Sequence, residues 1–345
     1  MKIPDKLERR EFLKLLGGAG GATLLGGITG ATSSFAKEAV YPDGKITWIV
    51  GHPPGGGIDL IARGLAPHMA RYLAALSPRP GSTGLVIKNL PGGAEMRAMN
   101  ELYHSRPDGY TLASGGDILH TRAVMGDLGF NLFDITFVAR LSSGNKIVVT
   151  NSRSNVRTWD DIVKASKKAP VKIAITGFGA SNHIASILLI DETGLAARPV
   201  IFDGTAGANA ALIRGDVLLG LNSEDSLRSL IDAKELRPVL TFSEKSDYPG
   251  CNTVKEIGFP ELVEPLKSQR YLIGPPKMPA GIKKTLQNVL KSTFADKELL
   301  AWNEKAKMSF APVLGSDIDL LVKKIQAFYQ SKEGILREYL VEKKV

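Results

Sequence analysis

Three consecutive glycines and an aspartate lie where an apolar, strand-like run passes into an amphipathic, helix-like one, in "GHPPGGGIDLIARGLAPHM" at residues 51–69. Glycine lacks a Cβ, so it allows a ligand to approach the main chain closely. The first N–H groups of a helix have no intrahelical partners and carry partial positive charge, so this junction favours anion binding. The alternative is structural: such turns are frequent in α/β folds, and Asp59 would then only cap the helix.

A second junction of the same kind follows in "AITGFGASNHIASILL", where Gly177 and Gly179 precede Ser181 at the start of a predicted helix. The Ser181 hydroxyl could cap that helix or bind a ligand. If the two junctions face each other at the carboxyl ends of their strands, amides from both would converge on one anion. Two further turns, "IFDGTAGANAAL" and "NLPGGAEMRA", also place glycines before a helix.

Signatures of catalysis, of metals and of cofactors are scarce. The chain has no Gly-x-Ser-x-Gly elbow and no HExxH, and "GHPPGGGID" lacks the Gly-Lys-Ser/Thr ending of a phosphate-binding loop. The five histidines show no metal-ligand spacing, and the single cysteine, Cys251, excludes an internal disulfide. The sequence therefore predicts no catalysis, no metal and no cofactor. A secreted enzyme with an oxyanion hole is the alternative, with Ser181 and His183 as its candidate pair.

Strand-like and helix-like segments alternate from residue 46 onward, and this alternation predicts an α/β fold with parallel sheets covered by helices. After "RYLIGPPKMP" the pattern becomes almost purely helical, as in a chain that crosses to a second lobe and returns. We therefore predict two lobes, each a mixed or mostly parallel sheet flanked by helices. The first comprises residues 41–141 plus 242–345, and the second residues 142–241.

Composition agrees with an ordinary globular protein and gives little support for nucleic-acid binding. Of the 345 residues, 43% are hydrophobic and 23% charged, with a net charge of +9. The basic residues are scattered and form no stripe interleaved with aromatics, so we expect no nucleic-acid partner.

The N-terminal segment has the features of an export signal. Arg9 and Arg10 precede Phe-Leu-Lys, a weakly apolar, glycine-rich stretch and small residues that end at Ala36. This pattern resembles a twin-arginine (Tat) signal, although Glu8 stands where that pattern has Ser or Thr. The many glycines make an uncleaved membrane anchor the weaker alternative. We expect a soluble periplasmic protein, cleaved near Ala36 from the signal peptide of residues 1–36.

Six segments in order resemble the periplasmic solute-binding receptors of the tripartite tricarboxylate transporter family, also called Bug proteins. They are "GHPPGGGIDLIARGLAPHM", "VIKNLPGGAEMRAMNELY", "RPDGYTLASG", "TGFGASNHIA", "ALIRGDVLLG" and "GPPKMPAGIKKTLQ". The resemblance implies a two-lobed Venus-flytrap fold that binds a small carboxylate through main-chain amides. It also implies delivery to the membrane permease subunits of a tripartite transporter, and we expect the receptor to be a monomer.

The resemblance carries the ligand contacts onto two loops and one turn of this chain. The expected ligand-binding residues are Pro54, Gly55, Gly56, Gly57, Ile58, Asp59, Gly179, Ala180, Ser181, Asn182, His183, Asp203, Gly204 and Thr205.

Two departures from the family pattern bear on the ligand. Ile58 replaces a residue that is commonly Thr or Ser, and Asp203 replaces a residue that is commonly uncharged or Tyr. An acidic group in the pocket would repel a second carboxylate, which argues against a tricarboxylate and leaves room for a monocarboxylate with a neutral remainder. Asp203 could instead point away and cap the next helix.

A cytoplasmic effector-binding domain is the third function considered, beside the receptor and the secreted enzyme. The export signal argues against it.

Overall fold

The computed structural model describes residues 41–342, which form two six-stranded sheets with helices packed on their faces. The predicted export signal, residues 1–36, lies outside the described residues. The predicted α/β class, with two mixed sheets flanked by helices, is confirmed. No helix within residues 41–342 combines the length and hydrophobicity needed to span a membrane.

The first sheet contains β1 (Lys45–Val50), β2 (Gly84–Asn89), β3 (Thr111–Gly116), β4 (Thr136–Gly144), β11 (Ser268–Gly274) and β12 (Phe310–Val313). Its strand order is β2-β1-β3-β11-β4-β12. β1 pairs in parallel with β2 and β3, as predicted, whereas β11 is antiparallel to both of its neighbours. β11 therefore begins at the edge where β3 ends, and Arg270 pairs with Gly116 there.

The second sheet contains β5 (Lys146–Asn151), β6 (Val171–Thr176), β7 (Ala197–Phe202), β8 (Leu219–Ser223), β9 (Leu236–Thr241) and β10 (Asn252–Thr253). Its order is β10-β9-β5-β8-β6-β7. β6 is parallel to β7 and β8, whereas β5 is antiparallel to β8 and β9. Lys146 pairs with Ser223, so the start of β5 lies at the edge where β8 ends.

Eleven α-helices are described within residues 41–342. They are α1 (Gly57–Leu76), α2 (Met96–Tyr103), α3 (Ile118–Met125), α4 (Trp159–Ser166), α5 (Ser181–Thr193), α6 (Thr205–Arg214), α7 (Glu224–Asp232), α8 (Ala280–Phe294), α9 (Lys297–Ala306), α10 (Asp317–Ser331) and α11 (Glu333–Arg337). Short 3₁₀ turns cover Pro80–Ser82 and Pro260–Leu262, and a π-helical turn covers Glu338–Glu342. α1 continues through Pro67, and its residues Leu65, Met69 and Leu73 are buried, at the i, i+4, i+8 spacing of a core-facing helix.

The chain passes between the sheets at two places. β4 ends at Gly144 and β5 begins at Lys146, so the chain passes from the first sheet to the second at Asn145. The return falls between residues 253 and 268, because β10 still pairs with β9. α10 packs on both sheets: its first half joins the core of the first, and Ile325 and Tyr329 join the core of the second. The predicted lobe boundaries stay a prediction.

Candidate functional site

The first glycine junction connects β1 to α1, as the sequence predicts. Gly55 adopts a positive φ of +87°, in a region that L side chains rarely adopt, and Gly56 is the N-cap residue of α1. The Gly55 N–H donates to Asp59 Oδ2 at 2.8 Å. Pro54, Gly55 and Gly57 are exposed, and Ile58 packs at the edge of the core of the first sheet. The exposed glycine backbone leaves this helix start open to a ligand.

The Asp59 carboxylate stabilises this junction from its buried side. Asp59 is buried and accepts hydrogen bonds from Arg63 Nε at 2.9 Å and Asn89 Nδ2 at 2.7 Å, besides the one from Gly55. Burial raises the pKa of Asp59, but these three hydrogen bonds outweigh it and hold the pKa below its usual value. The carboxylate is therefore ionised and already saturated by the loop and its neighbours.

The second glycine junction connects β6 to α5. Gly177 and Gly179 adopt positive φ angles of +79° and +70°, and the Gly179 N–H donates to His183 Nδ1 at 3.0 Å. Asn182 is buried and donates through Nδ2 to the Leu221 carbonyl at 3.1 Å. Burial lowers the pKa of His183 to about 4, so its imidazole is neutral at physiological pH.

The turn between β7 and α6 is more open to solvent. Gly204 is the N-cap residue of α6 and has a φ of +85°. Asp203 is exposed and precedes it, and no side-chain hydrogen bond caps α6. Asp203 therefore does not cap α6, which was the alternative role that the sequence allowed for it. Thr205, at the start of the helix, is half-buried.

The second junction is tied to the first sheet by Asp117, which the sequence did not single out. Asp117 follows β3, and its Oδ2 accepts hydrogen bonds from the Ser181 hydroxyl and from Lys146 Nζ, the latter at 3.0 Å. Lys146 also donates to the Leu266 carbonyl at 2.6 Å, and its side chain is only 2% exposed. Ser181 begins α5, but Ala180 is the N-cap residue, so the hydroxyl serves this contact between the two sheets rather than a cap.

Arg270, also not predicted, lies between this contact and the first junction. It pairs with Gly116 across β11 and β3, so it sits beside Asp117. Its Nη1 donates to Ser142 Oγ at 3.1 Å. A Cβ added at Gly57 would lie 3.3 Å from its Nη2. Arg270 and Asp117 therefore lie between the two glycine junctions, where the two sheets meet; this region is called the cleft below.

Glu95 is a buried acid on the first-sheet side of this cleft. It precedes α2, accepts a hydrogen bond from the Gly116 N–H at 2.8 Å, and its Oε1 lies 3.7 Å from His52 Nε2. Burial raises its pKa to about 8, which outweighs the hydrogen bond from Gly116. The folded protein therefore keeps this carboxyl largely protonated at neutral pH.

This shift predicts a contribution of Glu95 to stability that falls as the pH rises. Glu95 ionises near 4.5 in the unfolded chain and near 8 in the folded protein, so between these values unfolding releases one proton from this group. The contribution of Glu95 to the free energy of unfolding should fall by up to about 1.4 kcal/mol per pH unit in that window and level off above it. Glu95→Gln removes this term, so its stability relative to wild type should rise from pH 5 to pH 8 in urea unfolding. Glu101→Gln, an exposed position on α2, is the control. Parallel pH profiles for wild type and Glu95→Gln would contradict the assignment.

A cluster outside the cleft brings together groups that could in principle ligate a metal. His68, Asp296 and Glu298 lie close together. The Arg71 guanidinium occupies their centre, at 2.5 Å from Asp296, 2.9 Å from His68 and 3.0 Å from Glu298. These ligand atoms are therefore already used by a cation of the chain itself, and we assign the cluster to a surface ion-pair network.

In the alternative function, a secreted enzyme, Ser181 and His183 would act as a pair, but their polar atoms have other partners. Among the described residues, Ser181 donates to Asp117 and His183 accepts from Gly179, and no hydrogen bond joins the two side chains. The hydrogen-bond acceptor of the serine is therefore Asp117 and not His183. The cleft also offers backbone N–H groups and the mostly buried Arg270 guanidinium, which are suited to holding an anion.

Comparison with known proteins identifies the family of this chain. The family model of the tripartite tricarboxylate transporter family receptor matches residues 61–335. Protein BugT of Bordetella pertussis is 26% identical over 248 residues, which cover 69% of this chain and 74% of BugT. A TctC solute-binding protein from Polaromonas superposes with a TM-score of 0.72 at 21% identity, covering 86% of this chain and 99% of the other.

MatC from Rhodopseudomonas palustris, solved with bound malate, superposes with a TM-score of 0.66 at 18% identity, covering 86% of this chain and all of MatC. At these identities the solved structures support the fold, whereas the family match extends over most of the sequence. The chain belongs to the tripartite tricarboxylate transporter family of solute-binding receptors.

Proposed function

We propose that this protein is a periplasmic receptor that captures a small carboxylate in the cleft between its two lobes and delivers it to the permease subunits of a tripartite transporter. The carboxylate is held by backbone N–H groups within the loops of residues 54–59 and 179–183, with the turn of residues 203–205 on the far side. The observation that carries the proposal is the contact of Ser181 with Asp117, because it joins the second junction to the edge of the first sheet.

Electrostatics favours an anion at this place. α1 and α5 both begin at the cleft, and the N–H groups of a first helical turn carry partial positive charge without intrahelical partners. Hydrogen bonds from such groups to a carboxylate are charge-assisted, and they are stronger than those between neutral groups. A ligand that bridges both junctions stabilises the closed form relative to the open one, and the closed form is what the permease would recognise.

Family membership supports the same role, and MatC is a neighbour solved with malate. We propose that residues 1–36 are an export signal cleaved near Ala36, that the mature receptor is a monomer, and that it needs no cofactor. We further propose that it performs no catalysis of its own, since Ser181 and His183 hydrogen-bond to other groups.

A thermal-shift screen tests the proposal. A ligand that binds only the native state must raise the melting temperature by mass action, by an amount that grows with its concentration. The panel contains aliphatic and aromatic mono-, di- and tricarboxylates, each with its neutral amide as a control. We expect stabilisation by an acid and not by its amide. Equal shifts with both, or no shift across the panel, would contradict a carboxylate receptor.

A further inference from the structure

Arg270 differs from the other cations on the neighbouring elements in how its charge is compensated. Its side chain is only 11% exposed, yet its nearest carboxylate oxygen, on Asp225, is 3.7 Å away, beyond hydrogen-bond distance. Three cations of neighbouring elements each have a carboxylate oxygen at 3.0 Å or less. They are Lys146 with Asp117 at 3.0 Å, Arg63 with Asp59 at 2.9 Å, and Arg228 with Glu224 at 2.6 Å.

Most of the donor capacity of Arg270 is unused. A guanidinium has five N–H donors, and within residues 41–342 the only hydrogen bond from the Arg270 guanidinium is that of Nη1 to Ser142. Asp225, its loose partner, also accepts a hydrogen bond from Ser309 Oγ at 3.1 Å. Nε and Nη2 are not among the fully buried polar atoms that lack a partner within residues 41–342, so an acceptor that enters from solvent can reach them.

The edge of the guanidinium formed by Nε and Nη2 lies at the first glycine junction, although Nη2 is also the atom 3.7 Å from Asp225. Nη2 is the atom that a Cβ at Gly57 would approach to 3.3 Å, with Nε at 4.0 Å. Gly57 is the first residue of α1, so a mostly buried cation lies against the positive end of a 20-residue helix. Two positive poles at this separation repel each other, and an anion between them relieves that repulsion.

Among residues 41–342, the rest of the cleft offers no second cation in need of a partner. Burial lowers the pKa of His52 and lowers that of His183 to about 4, so both imidazoles are neutral at physiological pH. Glu95 is largely protonated because burial raises its pKa to about 8. Lys146 is neutralised by Asp117, and Asp203 on the far turn is exposed. A second carboxylate would therefore find neutral groups and an acid.

We propose that Arg270 is the charge-selecting residue of the receptor: it binds one carboxylate against the start of α1, and the ligand is a monocarboxylate whose remainder is uncharged. The inference rests on the proposed function and deepens it, because it names the ligand class and a side chain that contacts it. It also separates this chain from MatC, whose bound malate carries two carboxylates.

Calorimetric titration of wild type and Arg270→Gln with matched ligands tests the proposal. One set is 3-hydroxybutyrate, its amide, and malate, which differs from it by a carboxylate in place of a methyl group. A second set is hexanoate, hexanamide and adipate, and a third is benzoate, benzamide and phthalate. For the set that fits the cleft, wild type should bind the monocarboxylate more tightly than the dicarboxylate and the amide. Arg270→Gln should weaken monocarboxylate binding by about ten- to a hundred-fold, with little change for the amide.

Arg140→Gln is the matched control. Arg140 lies on the adjacent strand β4 and its side chain is 12% exposed, but its hydrogen bonds go to Glu264, Gln269 and the Ala311 carbonyl, away from Gly57. The Arg140→Gln variant should be less stable than wild type, but it should still bind the acid more tightly than the amide. Arg270→Lys keeps the positive charge but lacks the planar guanidinium with its paired N–H donors. Its affinity for the monocarboxylate should therefore lie between those of wild type and Arg270→Gln.

The outcomes separate the two proposals. If wild type binds an acid more tightly than its amide, and Arg270→Gln binds that acid as tightly as wild type does, the proposed role of Arg270 is wrong. The proposed receptor function would still stand. Tighter binding of the dicarboxylate than of its matched monocarboxylate would overturn the ligand class. If wild type binds none of the acids, both proposals fall.

Discussion

Replacing Asp117 with alanine should lower the free energy of unfolding by about 3 to 5 kcal/mol, because it leaves the buried Lys146 ammonium without its counter-ion. The Lys146 side chain is 2% exposed, and burial already lowers its pKa. Its remaining partner would be the Leu266 carbonyl at 2.6 Å, which supplies no charge. Urea unfolding at neutral pH measures the loss.

A double-mutant cycle distinguishes this ion pair from a general packing defect. Lys146→Met removes the charge while keeping much of the side-chain volume, so Asp117→Ala combined with Lys146→Met should be less destabilised than the sum of the single variants. Ser181→Ala removes only the charge-assisted hydrogen bond to the Asp117 carboxylate and should cost about 1.5 to 3 kcal/mol. Additive losses in the cycle would show that Asp117 acts independently of Lys146.

Gly56→Val should weaken carboxylate binding by at least about a hundred-fold, since its side chain would stand where the ligand meets the amides of α1. Loss of two charge-assisted hydrogen bonds, each worth about 1.5 to 3 kcal/mol, accounts for this size. The fold should persist, because Gly56 has φ −73° and ψ 161°, which valine adopts, and an added Cβ lies 3.6 Å from the Pro53 carbonyl oxygen. Titration calorimetry measures the affinity and thermal unfolding verifies the fold.

Gly281→Val is the matched control, because Gly281 is the second residue of α8 and an added Cβ meets no atom within 4 Å. It should leave binding unchanged. Gly179→Val should also abolish binding, but Gly179 has a φ of +70°, so backbone strain would contribute to its effect. Normal binding by Gly56→Val would mean that the first junction does not hold the carboxylate.

The strands before the two glycine junctions and the helices after them could be predicted from the sequence, because each depends on residues that are close together in the chain. The runs "ITWIVGH" and "VKIAITG" became β1 and β6, and the helix starts after residues 56 and 180 followed the glycines as expected. By contrast β4 and β11 were not identified as strands. β11 pairs with β3 more than 150 residues earlier in the chain, and such a partner leaves no periodic signal in the segment itself.

The charged groups of the cleft were missed for the same reason. Arg270 stands next to "YLIG" without any motif, and its place beside Gly57 follows from the antiparallel entry of β11 between β3 and β4. Asp117 and Lys146 are 29 positions apart and in different sheets, so their pairing appears only when the two lobes meet. Asp59 was predicted at the junction, but its inward orientation depends on Asn89 from β2.

A crystal structure of the protein with the tightest-binding acid of the screen tests the central claim most directly. It should show the carboxylate between the two sheets, with its oxygens 2.7–3.2 Å from main-chain nitrogens of residues 55–59 and 179–183. A ligand bound by one lobe alone, or seated away from both glycine junctions, would contradict the account.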